Sequence, residues 1–293
     1  MVQLNIPDKL YVRLYAGMGD FYKRYFCHST WQCLEDLKMK HPEVSIHALC
    51  VSQTIPALEL VDYHPCIDKV IKPKIHLREF KQLDVTKYIG EYQFLNPGIA
   101  KRFEQNITPI YMSKEDEEFV DNVKTKYGDY ICIHPFAGDT YGLNTRTPLK
   151  VKEYIPIINA LVDSGYNVIM LGKSWKRIVQ GTDGKTKTIQ ETFDWTRPGF
   201  INMIDKTNVR TGAALVKNSS GFVGTASSFM CAAWSMGGIK TSIITSMKWK
   251  QPLEEAPWAK DKIGNPNHQM IYLNNGRSAN KLKEIADVTA NWF

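Results

Sequence analysis

Short apolar, β-branched runs alternate along this chain with longer stretches whose apolar positions recur at helical spacing, and this alternation predicts βαβ units around a parallel sheet. Residues 10–14 (LYVRL) read as the first strand. The turn Gly17-Met18-Gly19-Asp20 follows, and 22–40 carries Phe26, Trp31, Cys33, Leu34 and Leu37 at helix-like intervals until Pro42 stops it. Residues 45–51 and 69–71 read as strands and 57–61 as a short helix. The stretch 72–110, with Pro73, Pro97 and Pro109, has weak periodicity and reads as the end of a first lobe running into a linker.

A second series then begins. Ser113 with Asp116 resembles a capping box opening a charged helix to 126, and the acids Glu115 to Glu118 suit a solvated helix start. Residues 130–134 (YICIH) form a strand, 151–164 a helix closed by Gly165, and 167–171 (NVIML) a strand. The polar stretch 172–199, with its turn Thr182-Asp183-Gly184-Lys185, reads as a surface excursion. Helix 211–218, strand 221–223, helix 227–236, strand 241–245 and an amphipathic helix 278–292 that packs back on a lobe complete the pattern. The fold class is α/β in two lobes, 1–110 and 111–293, with no internal repeat.

A length of 293 residues suits two lobes, each near the ordinary domain size of about 100 to 150 residues. Hydrophobic residues at 43% and charged residues at 23% match ordinary globular composition and exclude a disordered chain. No apolar run approaches the roughly 18 residues that span a bilayer, and MVQLNIPDKLYVRL lacks the apolar core and cleavage site of a secretory leader. The expectation is a cytoplasmic protein without a transmembrane segment, in the host cytoplasm if the source is viral. Six cysteines without a C-x-x-C pair read as buried or idle thiols. The net charge of +7 gains meaning from its placement: between Lys69 and Arg102, eight Lys/Arg face three acids, an excess of five. Such a stretch favours a polyanionic partner.

Three turns carry candidate chemistry. Gly17-Met18-Gly19-Asp20 lies between strand and helix, where glycines allow close backbone approach and the helix start offers N–H groups to an anion. Position 22 is Tyr22, so the dinucleotide fingerprint G-x-G-x-x-G is incomplete, and no Walker sequence occurs. Asp20 is open to two readings, helix cap and catalytic carboxylate. The second turn runs from His134 through Asp139 to Asn144-Thr145-Arg146-Thr147-Pro148, where hydroxyls and a guanidinium suit a diphosphate and an ordinary capped loop is the alternative. His134 itself reads as a strand-end histidine satisfied by backbone. The third, Gly224-Thr225-Ala226-Ser227-Ser228, places hydroxyls at a helix start and reads as an anion site or a set of caps. All three follow the carboxyl ends of strands, where open α/β sheets bind ligands.

In order, the segments VRLYAGMGD, HPEVSIHALC, HPCIDKVI, YICIHPFAG, VIMLG, INMIDKT and FVGTASSFMCAAWSMG resemble the ADP-heptose:lipopolysaccharide heptosyltransferase family over nearly the whole chain. The resemblance implies a GT-B architecture of two facing Rossmann-like domains with a sugar nucleotide in the cleft and inversion at the anomeric carbon. It implies that 1–110 is the acceptor domain and 111–293 the donor domain, and that Asp20 takes the proton of the acceptor hydroxyl. Donor contacts then fall on Thr145 and Arg146, where the family usually has lysine, and on Gly224, Thr225, Ser227 and Ser228. The positive charge excess of the lobe that carries Asp20 places the expected acceptor contacts on Gly19, Lys23, Arg24, Lys72, Lys74 and Arg78. The family's G-T-D-S-G-x-x-H pattern is altered here, with Ala226 in place of Asp and Cys231 in place of His. Both changes remove polar contacts expected near the donor, so neither sugar nor nucleobase is assigned.

The expected activity is a metal-independent, cofactor-free transfer from a nucleoside-diphosphate sugar to a hydroxyl of an anionic acceptor, a lipopolysaccharide-core-type glycan. There is no D-x-D pair after a strand and no histidine cluster with ligand spacing. A phage-type enzyme acting on a hydroxymethylated base in DNA would also explain the basic stretch, with Tyr22, Tyr25 and Phe26 available for stacking. A binding module without catalysis would explain Ala226 and Cys231, and a Rossmann-type oxidoreductase is opposed by the missing third glycine. No oligomeric state follows from the sequence.

Overall fold

The computed structural model describes residues 9–14, 30–50, 64–71, 112–136, 149–180, 186–191, 193–236, 238–247, 250, 266–273 and 278–293. The chain divides into two compact units, Met1–Glu117 with Trp234–Gly237, and Glu118–Ala233 with Gly238–Phe293.

In the first unit, β1 (Lys9–Leu14), β2 (Ser45–Cys50) and β3 (Lys69–Ile71) form a parallel sheet in that order. Lys9 is registered with Ser45 and His47 with Lys69. Parallel pairing requires a crossover, and α1 (Thr30–Lys40) supplies the described part of the one between β1 and β2. The helix stops before Pro42, and the start of the expected helix, at 22–29, lies outside the described residues, as do the expected helix at 57–61 and the stretch 72–110. Asp68 ties α1 to the sheet: its carboxylate accepts from the Ile46 N–H at 2.7 Å and pairs with Lys38 Nζ at 2.8 Å. Burial opposes its charge, yet the hydrogen bonds from Lys38 and Ile46 hold its pKa below the ordinary aspartate value. His64 accepts the Cys66 N–H at Nδ1, which leaves the proton on Nε2, 3.6 Å from Glu35. Burial lowers the His64 pKa to about 4.

The capping box at Ser113 forms as expected. Asp116 N–H donates to Ser113 Oγ at 3.2 Å and Ser113 N–H to Asp116 Oδ2 at 3.1 Å, opening α2 (Lys114–Tyr127). Among the acids at this helix start, Asp116 is buried in the box while Glu115, Glu117 and Glu118 are exposed.

The second unit is built on a sheet of β4 (Tyr130–His134), β5 (Asn167–Met170), β8 (Phe200–Asn202), β9 (Gly221–Gly224), β10 (Lys240–Ser246) and β11 (His268–Leu273). The spatial order is β11-β10-β9-β4-β5-β8, and every pairing is parallel. Every residue of β4 and of β9 is buried, as befits central strands covered on both faces. A 3-10 turn at Val151–Tyr154 leads into α3 (Ile155–Asp163), so the helix expected over 151–164 has a tighter first turn. It ends in a Schellman motif: Tyr166 N–H reaches the Leu161 carbonyl at 3.1 Å and Gly165, at φ 93°, reaches Val162 at 3.0 Å. Buried Ile157, Ile158 and Leu161 turn α3 onto the sheet core with Ile131, Ile133, Val168 and Val223. The closing helix α6 (Ala279–Ala290), capped by Ser278 Oγ on Lys281 N–H, packs against α3 within this unit through Ile285 and Ala286.

The stretch 172–199, expected as a polar surface excursion, carries secondary structure of its own. It contains an antiparallel hairpin, β6 (Trp175–Gln180) and β7 (Thr186–Glu191), whose strands were too polar to register as such. Beyond the hairpin, buried Phe193 and the rings of Trp195 and Phe200 cluster at 5.1 to 6.3 Å against the core. The strands β8 and β11 were also not anticipated. Of the thiols, Cys66, Cys132 and Cys231 are buried as expected, and no described helix is long and apolar enough to cross a membrane.

Ile157 is fully buried, so Ile157→Ala should lower the unfolding free energy by about 2–5 kcal/mol, whereas removing the α6 cap with Ser278→Ala should cost about 1 kcal/mol. Urea denaturation measures both, and a smaller loss at Ile157 than at Ser278 would contradict the core described here.

Candidate functional site

The chain order of the second sheet reverses between β4 and β9. From β4 it builds outward through β5 to β8, then crosses to β9 and builds the other way through β10 to β11. In open α/β sheets the crevice outside the carboxyl ends at such a reversal is where ligands bind. Here β4 ends at His134 and β9 at Gly224, and these residues are register partners.

Their approach demands glycine at 224. A Cβ there would lie 2.8 Å from the His134 carbonyl oxygen and 2.8 Å from the Phe222 ring. The chain then turns through buried Thr225, Ala226 and Ser227 into α5 (Ser228–Met236). Ser227 caps this helix: its Oγ accepts the Met230 N–H at 3.4 Å, and its carbonyl accepts the Cys231 N–H at 3.2 Å. The first-turn N–H groups have no carbonyl partners inside the helix and begin directly after the carboxyl end of β9. The partly exposed Ser228 stands at the first position of that turn.

His134 is the inner wall of this turn. Its Nδ1 lies 3.3 Å from Ser227 Oγ, so its partner is a side-chain hydroxyl, in place of the backbone partner expected from the sequence. Its ring lies 4.7 Å from that of Phe229, tilted by 48°, and meets Phe136 edge-on at 5.6 Å. Burial lowers its pKa to about 3, so the imidazole is neutral. Two further glycines admit these rings. A Cβ on Gly212 would come within 2.8 Å of Phe229, and one on Gly172 would overlap Phe136. Gly172 also has φ 141°, a backbone conformation that L side chains rarely adopt. The turn thus rests on an aromatic floor.

No family model matches this chain, and no curated protein matches it in sequence. Solved structures do match it in shape. E. coli ADP-heptose LPS heptosyltransferase II aligns with a TM-score of 0.58 at 13% identity, covering 97% of this chain and 98% of that one. A family 9 glycosyl transferase from Veillonella parvula aligns at 0.55 and 12% identity over 90% and 85% of the two chains. E. coli heptosyltransferase WaaC, solved with ADP, aligns at 0.52 and 10% identity over 97% and 98%. The chain has the heptosyltransferase fold.

Within this heptosyltransferase fold, Gly224, Thr225, Ser227 and Ser228 are brought to the sheet reversal as one turn. The remaining assigned residues, Asp20, Gly19, Lys23, Arg24, Lys72, Lys74, Arg78, Thr145 and Arg146, lie outside the described residues. Of the two family departures, Ala226 and Cys231 are 6% and 1% exposed and lie in the packed turn and helix, where small apolar side chains fit. The sequence reading missed the pairing of His134 with Ser227. Its only trace was that His134 ends one apolar strand run and Ser227 lies in the turn after another, which does not reveal that the two strands are neighbours. Among the described residues, no group of three or more His, Cys, Asp or Glu is placed to hold a metal ion.

Gly224→Ala should destabilise the protein by about 1–3 kcal/mol, because the His134 carbonyl is backbone and cannot swing away; a melting temperature equal to wild type would contradict the close approach. Acid should act through the buried imidazoles. The folded state leaves His134 and His64 neutral down to about 3 and 4, while in the unfolded chain histidine protonates near 6.5. Their contribution is therefore full above about pH 6.5 and is lost progressively as pH falls toward 4. Denaturant midpoints that stay level from pH 7 to pH 4.5 in wild type, or that fall as steeply in a His134→Gln, His64→Gln double variant, would show that these imidazoles do not set the dependence.

Proposed function

We propose that the protein is an inverting glycosyltransferase that moves a sugar from a nucleoside-diphosphate sugar to a hydroxyl of an anionic acceptor. The observation that carries this reading is the Gly224–Ser228 turn at the β4–β9 reversal of a sheet that has the heptosyltransferase fold. A helix start with hydroxyls beside it suits the diphosphate, since its N–H groups and dipole offset negative charge without bringing another anion. Arg146, in the loop after β4, supplies a cation that spreads charge over two oxygens. Stabilising the departing diphosphate in this way requires no metal ion or other cofactor.

The acceptor side belongs to residues 1–110 and the donor side to residues 111–293. Asp20, at the glycine turn after β1, takes the proton of the acceptor hydroxyl as that oxygen attacks the anomeric carbon from the face opposite the diphosphate, which inverts the configuration there. Gly19 lets the backbone approach, and Lys23, Arg24, Lys72, Lys74 and Arg78 hold the acceptor's negative charge. A lipopolysaccharide-core-type glycan meets these requirements. The excess of five positive charges between Lys69 and Arg102 favours a second reading in which the acceptor is a hydroxymethylated base in DNA. Buried Ala226 and Cys231 speak less for loss of catalysis than their sequence positions did, because packing accounts for them.

Asp20→Asn keeps the size and much of the capping ability of the side chain. It should lower kcat about 10²- to 10⁴-fold with donor binding and melting temperature nearly unchanged, and a variant with full turnover would remove Asp20 from the mechanism. Arg146→Ala should weaken nucleoside-diphosphate binding by about 1.5–3 kcal/mol in a calorimetric titration; equal affinity would move the diphosphate elsewhere. Replacing Lys72, Lys74 and Arg78 by Ser should raise the acceptor KM and flatten its salt dependence, and assays on glycan core and on modified DNA separate the two acceptors.

A further inference from the structure

We infer that His134 is a positioning residue for the donor diphosphate, acting through Ser227 on the first turn of α5. The inference rests on the proposed function and adds to it a residue that need not touch the substrate. Ser227 is the joint between β9 and α5, since its hydroxyl caps Met230 and its carbonyl accepts from Cys231. The orientation of this one side chain therefore sets where the first-turn N–H groups point. His134 Nδ1 is the second contact of that hydroxyl, at 3.3 Å, and it arrives from a different strand.

The imidazole is itself fixed on several sides. Its backbone is register-locked to Gly224, and its ring is held by Phe229 at 4.7 Å and Phe136 at 5.6 Å. Phe229 is the second residue of α5, so the histidine grips the helix start twice, through a hydroxyl and through a ring. At 7% exposure the contact is shielded from water, which would otherwise compete for the hydroxyl. A neutral imidazole can do this without placing a fixed positive charge beneath the helix. Groups that bind a diphosphate gain from such prior orientation, because no reorganisation is then needed as charge develops on the leaving oxygen.

The test is a double-mutant cycle read by binding of ADP, UDP, GDP and dTDP, with melting temperature recorded on every variant. His134→Leu should weaken the nucleoside diphosphate that wild type binds best by roughly three- to tenfold, as for loss of one neutral hydrogen bond. His134→Asn, whose amide reaches the position of Nδ1, should stay within about twofold of wild type. In a Ser227→Ala background the leucine replacement should add nothing further, because the path through the hydroxyl is already cut. If the leucine variant unfolds, His134→Gln, which displaces the amide by one bond, takes its place in the cycle. Unchanged binding in His134→Leu, or a loss of the same size with and without Ser227, overturns the assignment while leaving the proposed function standing. A wild-type protein that binds none of the four nucleoside diphosphates overturns the donor reading and this assignment with it.

Discussion

The close approach of β4 and β9 is the constraint on which the candidate site depends. Two central strands of a parallel sheet, buried on both faces, meet at their carboxyl ends with His134 opposite Gly224. Because a side chain at 224 would strike the His134 carbonyl, the chain can leave β9 in this way only at glycine. That exit brings Ser227 within reach of both the Met230 N–H and the His134 ring. Sheet register, helix cap and imidazole contact thus share one small volume, and a change in any of them is felt by the others.

The chemistry of the turn follows from the neutral groups that the described residues place around it. Among the described residues, the groups around the Gly224–Ser228 segment are neutral: hydroxyls, aromatic rings and an imidazole whose burial keeps it unprotonated. A helix start in such surroundings offers its partial positive charge undiluted by solvent. The buried Ala226 and Cys231 extend this apolar character into α5.

The two units also differ in how their pieces are tied together. In the first, among the described residues, the Asp68 carboxylate joins helix to sheet through both Lys38 and the Ile46 N–H. In the second, helix-to-sheet contact is almost wholly apolar, with α3 and α6 sharing a face over Ile131, Ile133 and Val223. The apolar face tolerates acid, whereas the histidines that have been made to stay neutral do not.

Much of the fold was legible in local pattern. Continuous apolar runs located β4, β5, β9 and β10, the Ser113–Asp116 box located a helix start, the amphipathic pattern of 278–292 located the closing helix, and Gly165 located a helix end, because each of these signals depends on residues close together in the chain. Local pattern failed at β6 and β7, whose strands are polar, and at β8 and β11, which are short or half-buried at the sheet's margins and lack a strong period. The hydroxyl-rich turn at Gly224 was also legible, as a strand end followed by caps. That His134 is its partner was not, since the two residues are ninety-three positions apart. The sequence by itself determined which segments become strands and helices and which turns carry polar groups. Tertiary structure alone decided the strand order, and with it which two strand ends meet, because the pairing of parallel strands is settled by long-range packing of faces and leaves no mark on either strand alone.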